Sequence, residues 1–249
     1  MDGSQGRWVG LPTNEIQARF VGSSGDEAMA EAAAFLERLK ANITLQDAVK
    51  ALDVGVGWGR LYRLARKDWR DIIGVDVDPD AVALCRRAMP QGRFEIMDGV
   101  NLPLETNSRN LAYLYSVFSH LPEAGFVRMI QELARVIVPG GYVGFTTLHA
   151  RHMERVWLSE LEIEESGVRD GLYRSGFHYE TWKRRLDNHG YLYAATGGGV
   201  EALPPEVYGE AIITPAYLAR FLPGSGFHLT YFDGGLKHPQ AHIIIRRDV

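Results

Sequence analysis

Residues 53–60 read Asp53-Val54-Gly55-Val56-Gly57-Trp58-Gly59-Arg60, with three glycines at alternate positions. Residues 49–54 have the apolar character of a short buried strand, and the residues after the glycines predict a helix through Leu61 and Leu64. Glycine lets the backbone turn tightly and lets a ligand approach the main chain. The free N–H groups at the start of such a helix can bind an anionic ligand group. The sequence therefore predicts a nucleotide-binding turn.

The spacing of the glycines separates the nucleotide-binding classes. Gly55, Gly57 and Gly59 form G-x-G-x-G, and Arg60 follows directly. A dinucleotide fingerprint is G-x-G-x-x-G, with a small residue at the position of Arg60, so a bulky arginine argues against a pyrophosphate packed close to the helix. No Gly-Lys-Ser/Thr follows, which excludes a P-loop. An NAD-dependent oxidoreductase is therefore disfavoured.

Two carboxylates end the next two predicted strands. Asp76 closes the strand over residues 72–76, and Asp98 follows the strand over residues 93–97. A carboxylate at the first position can accept both ribose hydroxyls, and one at the second can accept the amino group of adenine. Both should lie at the same carboxyl edge of the sheet as the glycines. Three strand ends with suitable residues at one edge indicate an adenosine site more specifically than any one of them does.

Strand and helix patterns alternate along the chain. Further strands are predicted over residues 110–115 and 142–148, and helices over residues 79–89 and 123–136. Thr214 and Pro215 begin a later helix, and strands follow over residues 227–232 and 242–246. The predicted fold class is α/β, a doubly wound, Rossmann-like, mostly parallel sheet with helices on both faces and an inserted lid.

The chain divides into four predicted segments. Residues 1–45 form an irregular arm to about Gly25 and then a helix with Asp26 as its N-cap. Residues 46–149 form the nucleotide-binding core. Residues 150–209 break the alternation and read as an inserted lid that binds the acceptor, and residues 210–249 supply the helix and strand pair that complete the core.

Composition excludes several classes of function. The net charge of −4 offers no broad basic field, so no nucleic acid partner is expected. A single cysteine, Cys85, can form neither an intramolecular disulfide nor a thiolate metal site, and the histidines lack the carboxylates of a metal cluster. Neither a signal peptide nor a membrane span is evident. We expect a cytoplasmic protein without a bound metal.

Several motifs together resemble the class I S-adenosylmethionine (SAM)-dependent methyltransferases, in their small-molecule branch. The matching segments, in the family's order over about residues 49–148, are Leu52–Arg60, Gly74–Asp78, Met97–Gly99, Leu102–Leu104, Ser116–Leu121 and Leu133–Gly141. The resemblance implies a seven-stranded sheet whose last strand is antiparallel. It also implies SAM as the methyl donor and S-adenosylhomocysteine as the product.

The resemblance assigns roles to individual residues. Asp53 and the glycines Gly55, Gly57 and Gly59 would hold the methionine end of SAM. The remaining donor contacts would be Asp76 for the ribose, Val77 on the adenine ring, Asp98 and Gly99 at its amino edge, and Tyr115 and Ser116 on the floor near the sulfonium.

Some of these residues have purely structural alternatives. Asp53 can cap the loop, and Asp98 can be an ordinary turn residue. Asp78 is better explained as the N-cap of the following helix than as a ligand. Arg60 has two interpretations, a contact with the SAM carboxylate or a surface salt bridge.

The acceptor side is less constrained. A hydroxyl acceptor benefits from a general base, and His149, after the fifth strand, and the weaker candidate His120 have a suitable side chain. In the lid, Tyr173, His178, Tyr179 and Trp182 suit a sugar or planar ring, or form the lid's own core. The sequence thus predicts methyl transfer to a hydroxyl of a sugar or secondary metabolite. N- or C-methylation of a metabolite, or a non-catalytic SAM-binding or partner-binding module, remains an alternative.

Overall fold

A computed structural model describes residues 10–45, 47–151, 178–198, 203–235 and 240–249. The predicted alternation of strands and helices is confirmed. The strands are β1 (Lys50–Val54), β2 (Asp71–Asp76), β3 (Arg93–Ile96), β4 (Arg109–Leu114), β5 (Ile137–Leu148), β6 (Tyr191–Ala194), β7 (Glu210–Ile213), β8 (Phe227–Asp233) and β9 (Gln240–Arg247). The α-helices are α1 (Asn14–Val21), α2 (Gly25–Ala41), α3 (Arg60–Ala65), α4 (Pro79–Ala88), α5 (Glu123–Val136), α6 (Tyr179–His189) and α7 (Pro215–Phe221).

Seven of the described strands form the predicted sheet. Strands β3, β2, β1, β4 and β5 pair in parallel in that order. Strand β9 runs antiparallel beside β5, and β8 pairs antiparallel with β9. The carboxyl ends of β1 to β5 therefore meet at one edge, which carries the candidate site.

Helices cover both faces of this sheet. Helices α2, α3 and α4 pack on one face, where Phe35 and Leu39 meet apolar strand residues such as Leu111. Helix α5 and helix α7 pack on the other face, where Phe126 and Leu218 are fully buried. The two buried layers give the doubly wound architecture that the sequence predicts.

Strands β6 and β7 are an addition to the predicted seven. They pair antiparallel, and β7 continues the sheet beside the end of β5 through the pair Leu148 and Ile212. Strand β6 lies in the segment predicted as a lid, and β7 begins directly after it. The local pattern concealed them because each strand is only four residues long.

Two expectations for the N-terminal segment are wrong. Residues 14–21 form helix α1 instead of an irregular arm, and Thr13 caps it by accepting from the Ile16 N–H. Helix α2 begins at Gly25 with Ser24 as N-cap, so Asp26 lies inside the first turn. Its negative charge suits the positive end of the helix dipole there.

Two other cap predictions are confirmed. Asp78 is the N-cap of α4 and accepts from the Asp80 N–H at 2.8 Å. Thr214 caps α7 by accepting from the Tyr217 N–H. In the part of the chain that the structure describes, no helix has the length and apolarity needed to cross a bilayer.

Candidate functional site

The loop between β1 and α3 needs glycine at three positions. Gly55, Gly57 and Gly59 have φ angles of +73°, +51° and +84°, a region that strains residues with a side chain. The Gly55 N–H donates to the Val75 carbonyl at 2.9 Å, which ties the loop to β2. A Cβ at Gly55 would lie 2.5 Å from Val117 Cγ2, so the loop after β4 packs directly against the main chain of Gly55.

Asp76 joins the end of β2 to this loop. One carboxylate oxygen accepts from the Gly57 N–H at 2.8 Å, and the other accepts from the Asp78 N–H at 3.0 Å. Burial raises the pKa of Asp76, and these two hydrogen bonds oppose the rise. Because a carboxylate oxygen has two acceptor lone pairs, each oxygen retains capacity for a further donor such as a ribose hydroxyl.

Asp53 is a fully buried carboxylate near the end of β1, just before the glycines. Neither of its oxygens has a hydrogen-bond partner among the described residues. Burial, and then the like charge of Asp76, raises the pKa of Asp53 well above its usual range. A buried acid without a donor is costly, so this position fits a cationic group such as an amino acid ammonium.

The rim of the site beside β2 and β3 is open. Val77, Asp98 and Gly99 are exposed, and Val77 is 45% exposed although it lies between buried residues. The Met97 N–H donates to the Asp76 carbonyl at 2.9 Å, which brings the ends of the two strands together. Gly99 has a φ of +56°. An apolar side chain beside exposed polar groups suits a planar ring with an amino edge.

Arg60 forms a salt bridge, as one of its two interpretations predicts, but the arginine itself is buried. The side chain is 4% exposed instead of lying on the surface, and its guanidinium donates to Glu31 at 3.0 Å and to the Ala28 carbonyl at 3.2 Å. It also lies over the ring of Tyr115, 4.7 Å from the centroid. Arg60 therefore anchors α2 to the glycine loop and to the half-buried Tyr115 at the end of β4.

Ser116 is held in an unusual conformation directly after β4. Its φ is +61°, which is uncommon for a residue with a side chain. Its N–H donates to Thr146 Oγ1 at 2.8 Å, and its hydroxyl oxygen accepts from Gln240 Nε2 at 2.8 Å. The same hydroxyl lies 3.3 Å from His120 Nε2. Strands β4, β5 and β9 thus fix this hydroxyl at the carboxyl edge.

His120 is brought to the donor side of the site, together with two residues that the sequence did not single out. Its ring stacks on Tyr208 with centroids 4.5 Å apart, and its Nδ1 lies 3.8 Å from Glu210 Oε1. Burial lowers the pKa of His120 and raises that of Glu210 to about 7. Tyr208 and Glu210 lie about 90 residues from His120 in the chain, and no local pattern links them.

His149 lies in a different place. It lines a pocket of about 290 Å³ with residues of β5, of the start of α7 and of the end of β8, among them Leu148, Thr214 and Phe232. This pocket shares no lining residue with the glycine loop or with Asp76. His120 does not line this pocket, so the two histidines that the sequence predicts as bases have different described surroundings.

Of the predicted acceptor residues, Trp182 and Tyr179 pack in the same small apolar cluster. Trp182 is 5% exposed and packs with Leu148 and Leu192 in a small core beneath α6. His178 is exposed as the N-cap residue of α6, and Tyr179 begins that helix. Tyr173 lies outside the described residues. For Trp182, the contacts favour the lid's own core.

Two further features bear on alternative chemistries. Tyr179 and Lys183 have the Tyr-x-x-x-Lys spacing of short-chain oxidoreductases, but Lys183 Nζ lies 2.6 Å from Asp187 on an exposed side of α6. Within the described ranges, no group of three or more His, Cys, Asp or Glu side chains could hold a metal ion.

Comparison with known proteins finds similarity to methyltransferases. A family model described as a methyltransferase domain matches residues 51–141. An uncharacterised methyltransferase of Mycobacterium tuberculosis is 30% identical over 114 residues, covering 46% of this chain and 45% of the relative. A malonyl-[acyl-carrier protein] O-methyltransferase of Pectobacterium atrosepticum is 29% identical over 112 residues, covering 45% and 44%. The chain thus spans less than half the length of these relatives.

Solved structures share the fold over more of the chain. A SAM-dependent methyltransferase from Methanosarcina mazei superposes with a TM-score of 0.58 at 19% identity, covering 85% of this chain and 97% of that one. A 1,6-didemethyltoxoflavin-N1-methyltransferase from Burkholderia thailandensis, with bound S-adenosylhomocysteine, gives 0.56 at 13% identity, covering 90% and 80%. Residues 51–141 thus match a methyltransferase domain, and the chain shares its fold, strand order included, with SAM-dependent methyltransferases.

Proposed function

We propose that the chain binds SAM at the glycine loop and transfers a methyl group to a hydroxyl oxygen of a small molecule such as a sugar or secondary metabolite. The observation that carries the proposal is the hydrogen bond from the Gly57 N–H to Asp76, which joins the two halves of an adenosine site at one sheet edge. The matched methyltransferase domain covers these same residues.

The donor site fits SAM at both ends. Asp53, buried without a partner in the described chain, would face the ammonium of the methionine portion, while the bare backbone at Gly55, Gly57 and Gly59 leaves room for its close approach. At the other end, the donor residues would be Asp76 at the ribose, Val77, Asp98 and Gly99 at the adenine, and Tyr115 and Ser116 on the floor.

Methyl transfer needs little chemistry from the protein beyond positioning. Bound SAM supplies a methyl group on a cationic sulfur, so that transfer to a hydroxyl oxygen breaks the S–C bond, forms an O–C bond, leaves S-adenosylhomocysteine and frees the hydroxyl proton. Holding the acceptor in line is worth roughly 7–11 kcal/mol of the barrier. A base that receives the proton adds about two to four powers of ten in rate.

His120 and His149 are the proposed bases. The contact between His120 and Ser116 favours His120, because Ser116 lies on the proposed floor of the donor site. His149 would act only on an acceptor that reaches the pocket at the end of β5. The segment 150–209, with Tyr173, His178, Tyr179 and Trp182, is the proposed acceptor side. Relatives named O-methyltransferases support an oxygen atom as the methyl acceptor.

The experiment that tests this function is a transfer screen with methyl-labelled SAM over sugars, phenols and amines. We expect label in an O-methyl product, and none with the Asp76→Ala variant, which loses the proposed ribose acceptor. Labelling of amines alone would replace O-methylation by N-methylation. Tight SAM binding without transfer to any acceptor class would favour a non-catalytic module.

A further inference from the structure

The segment that leads into β7 is bonded directly to the loop after β4. The Gly209 N–H donates to the His120 carbonyl at 3.0 Å, and the Ala211 N–H donates to the Ser119 carbonyl at 2.7 Å. The His120 ring returns a third bond, from Nδ1 to the Gly209 carbonyl at 2.8 Å. Three bonds over so short a stretch fix the position of the imidazole relative to β7.

These bonds also define the tautomer of His120. A carbonyl oxygen can only accept, so Nδ1 carries the hydrogen and Nε2 of the neutral ring presents its lone pair. That lone pair faces Ser116 Oγ at 3.3 Å. Ser116 Oγ accepts from Gln240 Nε2, and its second lone pair can accept from the Ser119 hydroxyl at 3.2 Å, which leaves the Ser116 hydrogen to donate to Nε2. The described contacts therefore form a directed chain from Gln240 through Ser116 to His120.

Glu210 and Tyr208 enclose the other side of the ring. Glu210 Oε1 lies 3.8 Å from Nδ1, and the Glu210 side chain is only 16% exposed. Tyr208 stacks on the imidazole at an interplanar angle of 10°. The carboxylate is thus close enough to stabilise a positive charge on the ring, and the stack holds the ring in its plane.

We propose that Glu210 is a positioning residue that makes His120 an effective proton acceptor for methyl transfer, with Ser116 as the relay. The hydroxyl proton of the acceptor passes to Ser116 Oγ while the Ser116 hydrogen passes to His120 Nε2, and the resulting imidazolium is balanced by the Glu210 carboxylate. This role rests on the proposed function, whereas the coupling between Glu210 and His120 exists without an acceptor.

The titration behaviour of the cluster supports this assignment. Burial raises the pKa of Glu210 to about 7, so this carboxyl group changes charge around neutrality, and burial lowers the pKa of His120, so its ring is neutral there. Tyr208 stays protonated there, because burial and then Glu210 raise its pKa to about 12. Ser116 lies within hydrogen-bonding distance of His120, and Ser116 in turn lies within hydrogen-bonding distance of the Ser119 hydroxyl and the Gln240 amide. These groups carry no charge.

Nuclear magnetic resonance of the full chain with labelled histidine tests the coupling directly. We expect the His120 ring resonance, assigned with His120→Gln, to show a step near pH 7 that Glu210→Gln removes. Glu206→Gln, which changes an exposed acid of the same segment, should keep that step. An unchanged step in Glu210→Gln would overturn the proposal. Glu210→Leu, checked for folding by circular dichroism, provides a second variant with the same expected result.

Kinetics separate this proposal from the proposed function. With an acceptor found in the transfer screen, Glu210→Gln should lower kcat about tenfold, the equivalent of one pKa unit of imidazolium stabilisation, and leave SAM affinity unchanged. Wild-type kcat should rise with pH through about 7, and the variant should lose that rise. Normal kcat in Glu210→Gln would refute the positioning role while leaving methyl transfer itself intact. Absence of transfer by the wild type would refute the proposed function instead, and the resonance experiment would still decide the coupling.

Discussion

The geometry of the glycine loop makes a quantitative prediction for Gly59→Ala. Gly59 has a φ of +84°, and a Cβ there would lie 2.4 Å from Met89 Cε and 3.2 Å from Cys85 Sγ. The matched control is Gly226→Ala, because Gly226 has a φ of +79° and a Cβ there would meet no atom within 4 Å. Both variants share the cost of a left-handed alanine, roughly 1–2 kcal/mol.

Only Gly59→Ala adds a steric overlap. The overlap falls on the terminal methyl of the flexible Met89 side chain, which must move within a packed interior, so the cost is about 1 kcal/mol, the low end for overpacking. We therefore expect Gly59→Ala to lower the free energy of unfolding by about 2–3 kcal/mol and Gly226→Ala by about 1–2 kcal/mol. Effects of alanine on the unfolded chain are common to both variants and cancel in the difference.

Denaturant unfolding of the two variants and the wild type measures this difference. Thermal unfolding gives a second reading, at about 2–4 °C per kcal/mol for a chain of this size. Equal destabilisation by the two substitutions would refute the argument that the loop is packed against α4 without room for a side chain.

Three further predictions concern the donor loop, its anchor and the buried acid. Asp76→Asn should weaken SAM and S-adenosylhomocysteine binding alike, by about tenfold to a hundredfold in calorimetry, and unequal losses would contradict a ribose contact. Glu31→Gln should reduce the free energy of unfolding by about 1–3 kcal/mol, because it leaves the buried Arg60 without its counter-charge; no measurable loss would refute the anchor. Glu210 has a folded pKa of about 7, above its unfolded value, so the stability it contributes is complete below about pH 4 and is lost as the pH rises to about 7. Between about pH 4 and pH 7, the free energy of unfolding of the wild type should fall by up to about 3 kcal/mol relative to that of Glu210→Gln. The control variant Glu206→Gln should show the same fall as the wild type.

The features of the fold that depend on residues close together in the chain were predictable. The alternation of strands and helices gave the parallel core, and the Pro79 and Thr214-Pro215 signals marked true helix starts. The helix cap at Asp78 followed in the same way from a short side chain before a proline. Each of these features depends on residues within one or two turns of one another.

The parts that depend on distant contacts were not predictable. Nothing near Arg60 in the chain indicates that Glu31 will bury it, and nothing near His120 indicates Glu210. The antiparallel pair of β6 and β7 is likewise held by distant contacts, with the end of β5 and with the loop after β4. Strands of four residues give only a weak sequence signal by themselves. The proposed acceptor side depends on such contacts, so the sequence constrains the proposed donor site better than the proposed acceptor side.

Calorimetric titration of the wild-type chain with SAM, S-adenosylhomocysteine and NAD distinguishes a SAM site from a dinucleotide site. The proposed donor site predicts that SAM and S-adenosylhomocysteine each bind at one site, that NAD does not bind, and that Asp76→Ala weakens both adenosyl ligands. Binding of NAD with no detectable binding of either SAM or S-adenosylhomocysteine would contradict it.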